Sequence, residues 1–285
     1  MPKASTVVLQ GANHYYEWIR SEPESEGARP VMVFLHGWGG SARYWQAIAQ
    51  HFAAHFDCLL YDLRGFGRSP EVESAGDFGY TLDDYAADLL ALLEAFNLGQ
   101  VWLLAHSTGA SIATVFASRY PERVERLLLT CSGIFTYNPI TFTAFHWAGA
   151  RVVELRFDWF RQIPLAEHLF MSRFLYRPLP SAISQQFLED YLLANAQAAT
   201  QTIRTIVSEQ AATEMPGHFA NLQMPTLLIA GEQDQIIPTR LARPAACLNP
   251  LIDYQEIPQV GHFPMLEAPK RYLQIVQKFC GFDSP

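Results

Sequence analysis

Four stretches of this chain are apolar almost from end to end, residues 31–35 (Val-Met-Val-Phe-Leu), 56–61, 101–104 and 226–230, and a fifth strand-like run, 124–130, carries Leu127-Leu-Leu129 after Glu125 and Arg126. A strand with one wet face alternates; a strand covered on both faces of a parallel sheet does not. The spaces between these runs carry helical patterns. Ser41 can cap a helix to about residue 54, with Tyr44, Trp45, Ile48 and Ala49 on its apolar face. Thr81-Leu-Asp-Asp84 opens another, with Leu82, Tyr85, Ala86, Leu89, Leu92 and Leu93 on one face. A third begins right after residue 107 and stops at Tyr120, before Pro121. After the run at 226–230 come a helix at about 239–248, shortened by Pro244, a strand at 251–257 and a terminal helix at 269–279. Strict alternation of strand and helix predicts a mostly parallel sheet wrapped by helices on both faces, an α/β fold. Residues 6–10 and 14–20 alternate like two short strands, and an acidic turn at 22–27 follows. They predict an antiparallel edge.

The alternation breaks between residues 133 and 220, where helical patterns and many aromatic residues replace strand-like runs. The expected organisation is therefore a core made of residues 1–132 and 221–285, with a helical cap at 133–220. A chain of 285 residues that is 49% hydrophobic and 17% charged can build such a core. A formal net charge of −8 argues against nucleic acid as a partner. The four cysteines, Cys58, Cys131, Cys247 and Cys280, show no paired spacing and read as reduced thiols. The first ten residues lack a signal-peptide core, and no apolar run could insert into a bilayer. The expectation is a cytoplasmic protein.

Within this frame residues 105–109 (Ala-His-Ser-Thr-Gly) stand out. A buried strand runs into a very tight turn with Ser107 at its apex, and a helix follows at once. As a plain feature, Ser107 is an N-cap; as a chemical one, it is a serine lifted out of the sheet as a nucleophile. A serine nucleophile needs a base, and the base needs an acid to orient it. In open parallel sheets such groups belong in loops beyond the strands' carboxyl ends. His262, in Val-Gly-His-Phe-Pro, follows the last strand; Asp234, in Gly-Glu-Gln-Asp, follows the strand before it. Glu232 is the second choice of acid. Asp62 reads as holding the glycine-rich loop 64–67, and His106 as pointing elsewhere on the turn. His36 belongs to a His-Gly turn, and the remaining histidines read as surface or core. Stabilising an oxyanion needs aimed N–H donors. Thr108, at a helix N-terminus, and Trp38, in His36-Gly-Trp-Gly-Gly40, can supply them. Gly65-Phe-Gly67 lacks the spacing of a phosphate loop.

Five stretches, His36-Gly-Trp-Gly-Gly40, Asp62-Leu-Arg-Gly-Phe-Gly-Arg-Ser69, Ala105-His-Ser-Thr-Gly109, Gly231-Glu-Gln-Asp234 and Gly261-His-Phe-Pro-Met-Leu-Glu-Ala-Pro269, fall in order at strand ends. Together they resemble the α/β-hydrolase superfamily over nearly the whole chain outside residues 133–220. That resemblance implies an eight-stranded sheet with its second strand antiparallel and a cap inserted after the sixth. It assigns Ser107 as nucleophile, His262 as base and acid, Asp234 as orienter, and Trp38 and Thr108 as oxyanion donors. Ala105 replaces the usual first glycine. Haloalkane dehalogenases and epoxide hydrolases of this fold carry aspartate where Ser107 stands. The His-Gly-Trp-Gly and Gly-Phe-Gly-Arg-Ser stretches look like those of small carboxylesterases, typified by the pimeloyl-carrier methyl esterase. Similar stretches occur in carbon–carbon bond hydrolases and cofactor-free haloperoxidases. The expected activity is hydrolysis of a small hydrophobic carboxylic ester through an acyl-enzyme, with no metal and no cofactor. Alternatives are carbon–carbon cleavage or perhydrolysis on the same residues, or a slow-turnover small-ligand receptor. An acidic carrier protein is a further partner to consider, met by Arg156, Arg161, Arg173 and Arg177, although a solvated helix face explains those arginines equally well.

Overall fold

The apolar runs become strands because both of their faces are covered. The computed structural model describes residues 3–21, 29–69, 79–154, 156, 162, 163 and 165–282. Its strands are β1 (Lys3–Leu9), β2 (Ala12–Ile19), β3 (Val31–Leu35), β4 (Asp57–Tyr61), β5 (Val101–His106), β6 (Val124–Thr130), β7 (Thr226–Gly231) and β8 (Ile252–Ile257). They form one sheet in the order β1-β2-β4-β3-β5-β6-β7-β8. β2 pairs antiparallel with both β1 and β4, and every pairing from β4 to β8 is parallel. The antiparallel edge and the single reversed strand both follow the sequence reading. The acidic turn at 22–27 lies outside the described residues.

Successive side chains of the central strands feed two separate cores. Val33, Leu35, Leu59 and Leu103 pack with α2 (Leu82–Ala95) and α3 (Thr108–Arg119). Met32, Phe34, Leu60 and Leu104 pack on the other face with α1 (Gln46–Phe52) and the terminal helix α10 (Pro269–Cys280). Each leucine or phenylalanine buried in this way stabilises the fold by roughly 1.5–3 kcal/mol. All six residues of the stripe expected on the helix after Thr81 are buried, and Thr81 and Asp84 close a capping box at its start. The helix expected from Ser41 begins instead as a 3-10 turn (Ala42–Trp45) before continuing as α1. Pro244 sits inside α9 (Thr239–Ala246), which ends two residues later. All four cysteines are free thiols; Cys247 is exposed and the other three are buried.

Between β6 and β7 the chain forms α4 (Pro139–Glu154), α5 (Ala166–Ser172), α6 (Ser181–Leu193), α7 (Ala196–Ile206) and α8 (Glu209–Ala220). No strand occurs among the described residues of this stretch. α4 packs on α7, α5 on α6, and α8 against α3 and α9. Residues of α4, α5, α6 and α7 line one cavity together with Trp38, Ser107, Ile237 and His262 from the loops after β3, β5, β7 and β8. Among the described residues no helix is long and apolar enough to cross a membrane.

Candidate active site

Ser107 sits between β5 and α3 with φ 53° and ψ −119°. This backbone region is costly for any residue with a side chain, and surrounding structure must hold it there. Two contacts do so. The Ser107 N–H donates to the Thr130 carbonyl at 2.9 Å, and its own carbonyl accepts from Ser111 N at 3.0 Å. Gly109 makes the turn possible sterically: a Cβ there would stand 2.5 Å from the His36 carbonyl oxygen. The first position of the turn tolerates Ala105, which is fully buried within β5.

The structure brings the three expected side chains together. His262 Nε2 lies 3.0 Å from Ser107 Oγ, and His262 Nδ1 lies 2.7 Å from Asp234 Oδ2. All three residues are buried. Asp234 Oδ1 accepts from the backbone N–H groups of Ile236 at 2.7 Å and Ile237 at 3.0 Å. Burial pushes the Asp234 carboxyl up, but His262 and these hydrogen bonds outweigh it and leave the group below the usual carboxylate value. Asp234 is therefore a fixed anion, and the ring proton of His262 belongs on Nδ1. That leaves Nε2 able to take a proton from Ser107. Glu232 is exposed and accepts from Gln259 N at 2.9 Å, so it does not serve the His262 ring.

The turn after β3 faces the same point. His36 is buried, and burial holds its ring neutral. Its Nε2 accepts from Leu63 N at 2.8 Å, so its proton sits on Nδ1, 2.8 Å from the Gly37 carbonyl. Gly40 N donates to that carbonyl at 3.3 Å. In a trans peptide the N–H points opposite to the C=O, so fixing the Gly37 carbonyl also fixes the direction of the Trp38 N–H. The Trp38 ring donates from Nε1 to Ala199 O at 2.9 Å, tying this turn to α7. Thr108 is the first residue of α3, where helix geometry leaves N–H groups without an intrahelical partner. Asp62 holds the neighbouring loop as expected, accepting from Ala42 N, Arg68 N and the Arg68 guanidinium.

A cavity of about 200 Å³ opens over Ser107 and runs between α4 and α7, lined by Phe135, Phe145, Gly149, Val152, Ile203 and Val207. Gly149 allows the helices to approach, since a Cβ there would lie 3.0 Å from Ile203 Cγ2. Among the described residues Arg173 is the one ionic side chain on the wall besides the histidines, and it has no ion pair there. Arg156 is committed to the carbonyls of Val153, Tyr191 and Ala194, and Arg177 to Gln259. Arg161 lies outside the described residues.

Three participants escaped the sequence reading. His106 does not point away: its Nε2 lies 2.7 Å from the His262 carbonyl, and its Nδ1 lies 3.0 Å from the Tyr44 hydroxyl. Glu267 pins the His262 loop to the helical segment. It accepts from Gly261 N and Phe263 N with one oxygen and from Tyr176 N and Arg177 N with the other. Cys131, in a left-handed conformation (φ 51°) just after β6, places its thiol near Asp234. Burial and then that charge push the thiol well above its ordinary value, so it stays protonated. Ligand atoms of His106, Cys131 and His262 lie within 4.8 Å of one another. Both ring nitrogens of each histidine already have partners and the thiol keeps its proton, so this group is a poor fit for a metal.

Residues 30–269 match the family model described as the alpha/beta hydrolase fold, and the chain belongs to that family. It is a hydrolase. Among its relatives is a pimeloyl-[acyl-carrier protein] methyl ester esterase from Edwardsiella ictaluri, 27% identical over 253 residues, which cover 87% of this chain and 92% of the relative. A hydrolase from Pseudomonas aeruginosa superposes with a TM-score of 0.78 at 20% identity, covering 98% of each chain. The enol-lactonase from Burkholderia xenovorans does so with a TM-score of 0.76 at 18% identity, covering 97% of this chain and all (100%) of the other. These structural likenesses concern the fold.

Proposed function

We propose that the protein is a serine hydrolase that cleaves carboxylic esters carrying a hydrophobic moiety through an acyl-enzyme. The observation that carries this reading is the Ser107–His262–Asp234 chain, with links of 3.0 and 2.7 Å, at the mouth of an apolar cavity. Ser107 Oγ attacks the ester carbonyl as its proton passes to His262 Nε2. Asp234 stabilises the imidazolium that results. The Trp38 and Thr108 N–H groups receive the developing oxyanion. His262 returns the proton to the departing alcohol, leaving an ester on Ser107. A water, deprotonated by the same nitrogen, then attacks that ester; the bond to Ser107 Oγ breaks, His262 passes the proton back to that oxygen, and the acid leaves. Residues 133–220 act as the cap, and the walls supplied by α4 and α7 hold the apolar part of the substrate.

The carrier-protein reading narrows on inspection. Of the four candidate arginines, Arg156 and Arg177 have other partners, and only Arg173 combines a place at the cavity with no ion pair among the described residues. The test is to label the protein with a fluorophosphonate, map the modified residue, and assay nitrophenyl esters of increasing acyl length beside a vinylogous diketone. Labelling at Ser107 with turnover of esters is expected. Labelling elsewhere, or tight ligand binding without turnover, overturns the reading.

A further inference from the structure

One buried chain of hydrogen bonds links the two halves of this site, and donor and acceptor chemistry, together with the neutral state of its buried rings, gives it one direction. It begins at Gly37 N–H, 2.5 Å from the Tyr44 hydroxyl. It continues over 3.0 Å from that hydroxyl to His106 Nδ1, and over 2.7 Å from His106 Nε2 to the His262 carbonyl. A carbonyl only accepts, so His106 Nε2 carries a proton. Burial, followed by the nearby His262, holds the His106 ring neutral, so its Nδ1 is a bare acceptor. Tyr44 is buried by the same packing, and burial keeps its hydroxyl protonated; it donates to Nδ1 while its oxygen accepts from Gly37. Every link has one allowed polarity. The rings are clamped as well: Tyr44 stacks on Phe187 at 5.2 Å, and Phe263 lies edge-on to Tyr44 and tilted against His106.

We infer that Tyr44 and His106 are positioning residues: a single relay that sets the backbone of His262 and the Gly37–Trp38 turn relative to each other. The inference rests on the proposed roles of His262 and Trp38, since it concerns their alignment. Geometry elsewhere supports it. Gly37 is held on both sides: Tyr44 fixes the His36–Gly37 peptide through the Gly37 N–H, and His36 and Gly40 fix the next peptide, which carries the Trp38 N–H, through the Gly37 carbonyl. A Cβ on Gly37 would lie 3.0 Å from His106 Nδ1 and 3.1 Å from Ser107 Cβ, so the turn, the relay and the serine are in mutual contact. A reaction that needs both a proton acceptor and an oxyanion donor gains from a rigid distance between them.

Two measurements test this. The first is a long-range proton–nitrogen NMR spectrum of the full chain at pH 7, which should show His106 neutral and protonated on Nε2, and His36 neutral and protonated on Nδ1. A charged His106, or the opposite tautomer, overturns the relay whether or not the protein hydrolyses esters. The second is a variant set. His106→Gln keeps a donor at the reach of Nε2, while His106→Asn loses it. Removing one partner from a buried hydrogen bond corresponds to about tenfold or more in an equilibrium or rate. For Tyr44→Phe and His106→Asn, kcat on a short nitrophenyl ester should fall by about tenfold with KM within about twofold, and His106→Gln, which restores the link to His262 but not the one to Tyr44, should recover only part of it. The double variant should be no worse than the poorer single one, because one chain is broken either way. Tyr85→Phe, which removes a buried hydroxyl bonded to Arg64 O and Thr202, neither of them lining the cavity over Ser107, is the control for simple destabilisation. Unchanged kcat in folded His106→Asn, or losses that multiply in the double variant, overturn the inference. Retained activity in Ser107→Ala would instead sink the functional reading and leave the NMR result standing.

Discussion

The rim of the sheet and the helical stretch above it solve opposite problems with similar residues. Around Ser107, polar groups are buried and nearly every one has a defined partner; His36, His106 and Asp234 each use two or more hydrogen bonds. Above it, α4 exposes Ile140, Phe145, Trp147 and Val152, and α5 exposes Leu169. The rim is over-determined, as a site that must hold Ser107 at φ 53° has to be. The helical walls of the cavity are mainly apolar, which suits selection by shape. Chemistry and selectivity should therefore respond to different substitutions, and the two regions can be separated experimentally.

The largest effect belongs to the rim. Ser107→Ala should lower turnover of short nitrophenyl esters by about 10⁴-fold or more, with the melting temperature kept. A folded variant with parental turnover would remove the distinction between the two regions at its source.

A matched pair of glycines sharpens the contrast. At Gly109 a Cβ would meet backbone oxygens at 2.5 and 2.8 Å, and backbone cannot step aside. Gly109→Ala should cost about 3 kcal/mol or more in urea unfolding. At Gly149 a Cβ would meet the Ile203 side chain at 3.0 and 3.2 Å, which can shift. Gly149→Ala also gains helix propensity of about 1 kcal/mol, so stability should change little. The added methyl narrows the cavity between α4 and α7, and the preference for long over short acyl esters should drop by about tenfold. If Gly149→Ala left the acyl-length profile untouched, the channel would not be where the acyl chain lies.

The same contrast explains what could be read in advance. Ser107, Asp234 and His262 were legible because each sits in a short turn directly after a strand, and turn chemistry is local. Tyr44 and His106 were not, because their significance depends on partners 62 and 156 residues away in sequence. The tight turn displayed Ser107 and masked its neighbour. The Arg156 side chain shows the reverse error: on a helical pattern it reads as a solvated or partner-binding charge. In the fold it satisfies the carbonyls at the end of α6, with a bond of 2.5 Å to Ala194 O. Helical periodicity says which face is apolar but not where α4 crosses α7, so the course of the cavity was not readable.

Arg173 gives a smaller effect on the helical side. Arg173→Gln should leave neutral esters within about twofold. It should lower kcat/KM for esters carrying a carboxylate or phosphate by about fivefold, the value of roughly 1 kcal/mol for a partly exposed charge pair. Equal effects on neutral and anionic esters would mean that the residue shapes the mouth and reads no charge.

The smallest effect sits at the seam between the two regions. Asp190, on α6, accepts from Ser41 Oγ at 2.5 Å in the loop after β3, and Arg43 approaches its other oxygen at 3.4 Å. Burial raises its pKa to about 6, and the Ser41 hydrogen bond and Arg43 only partly offset that. A carboxyl whose folded value is raised holds a proton in the native state that the unfolded chain has already lost. Stability from this group is therefore greatest below the unfolded value and declines as pH rises through the folded one. Between pH 5 and pH 7.5 the parent should lose about 1 kcal/mol from this source, and Asp190→Asn should not. Urea midpoints at the two pH values measure the difference. Asp234 provides the opposite sign as an internal check, since its lowered value makes stability fall only at acid pH, below the range compared. An Asp190→Asn protein with the parental pH slope would place the titration elsewhere, and the seam would then be held by Ser41 and Arg43 without a buried proton.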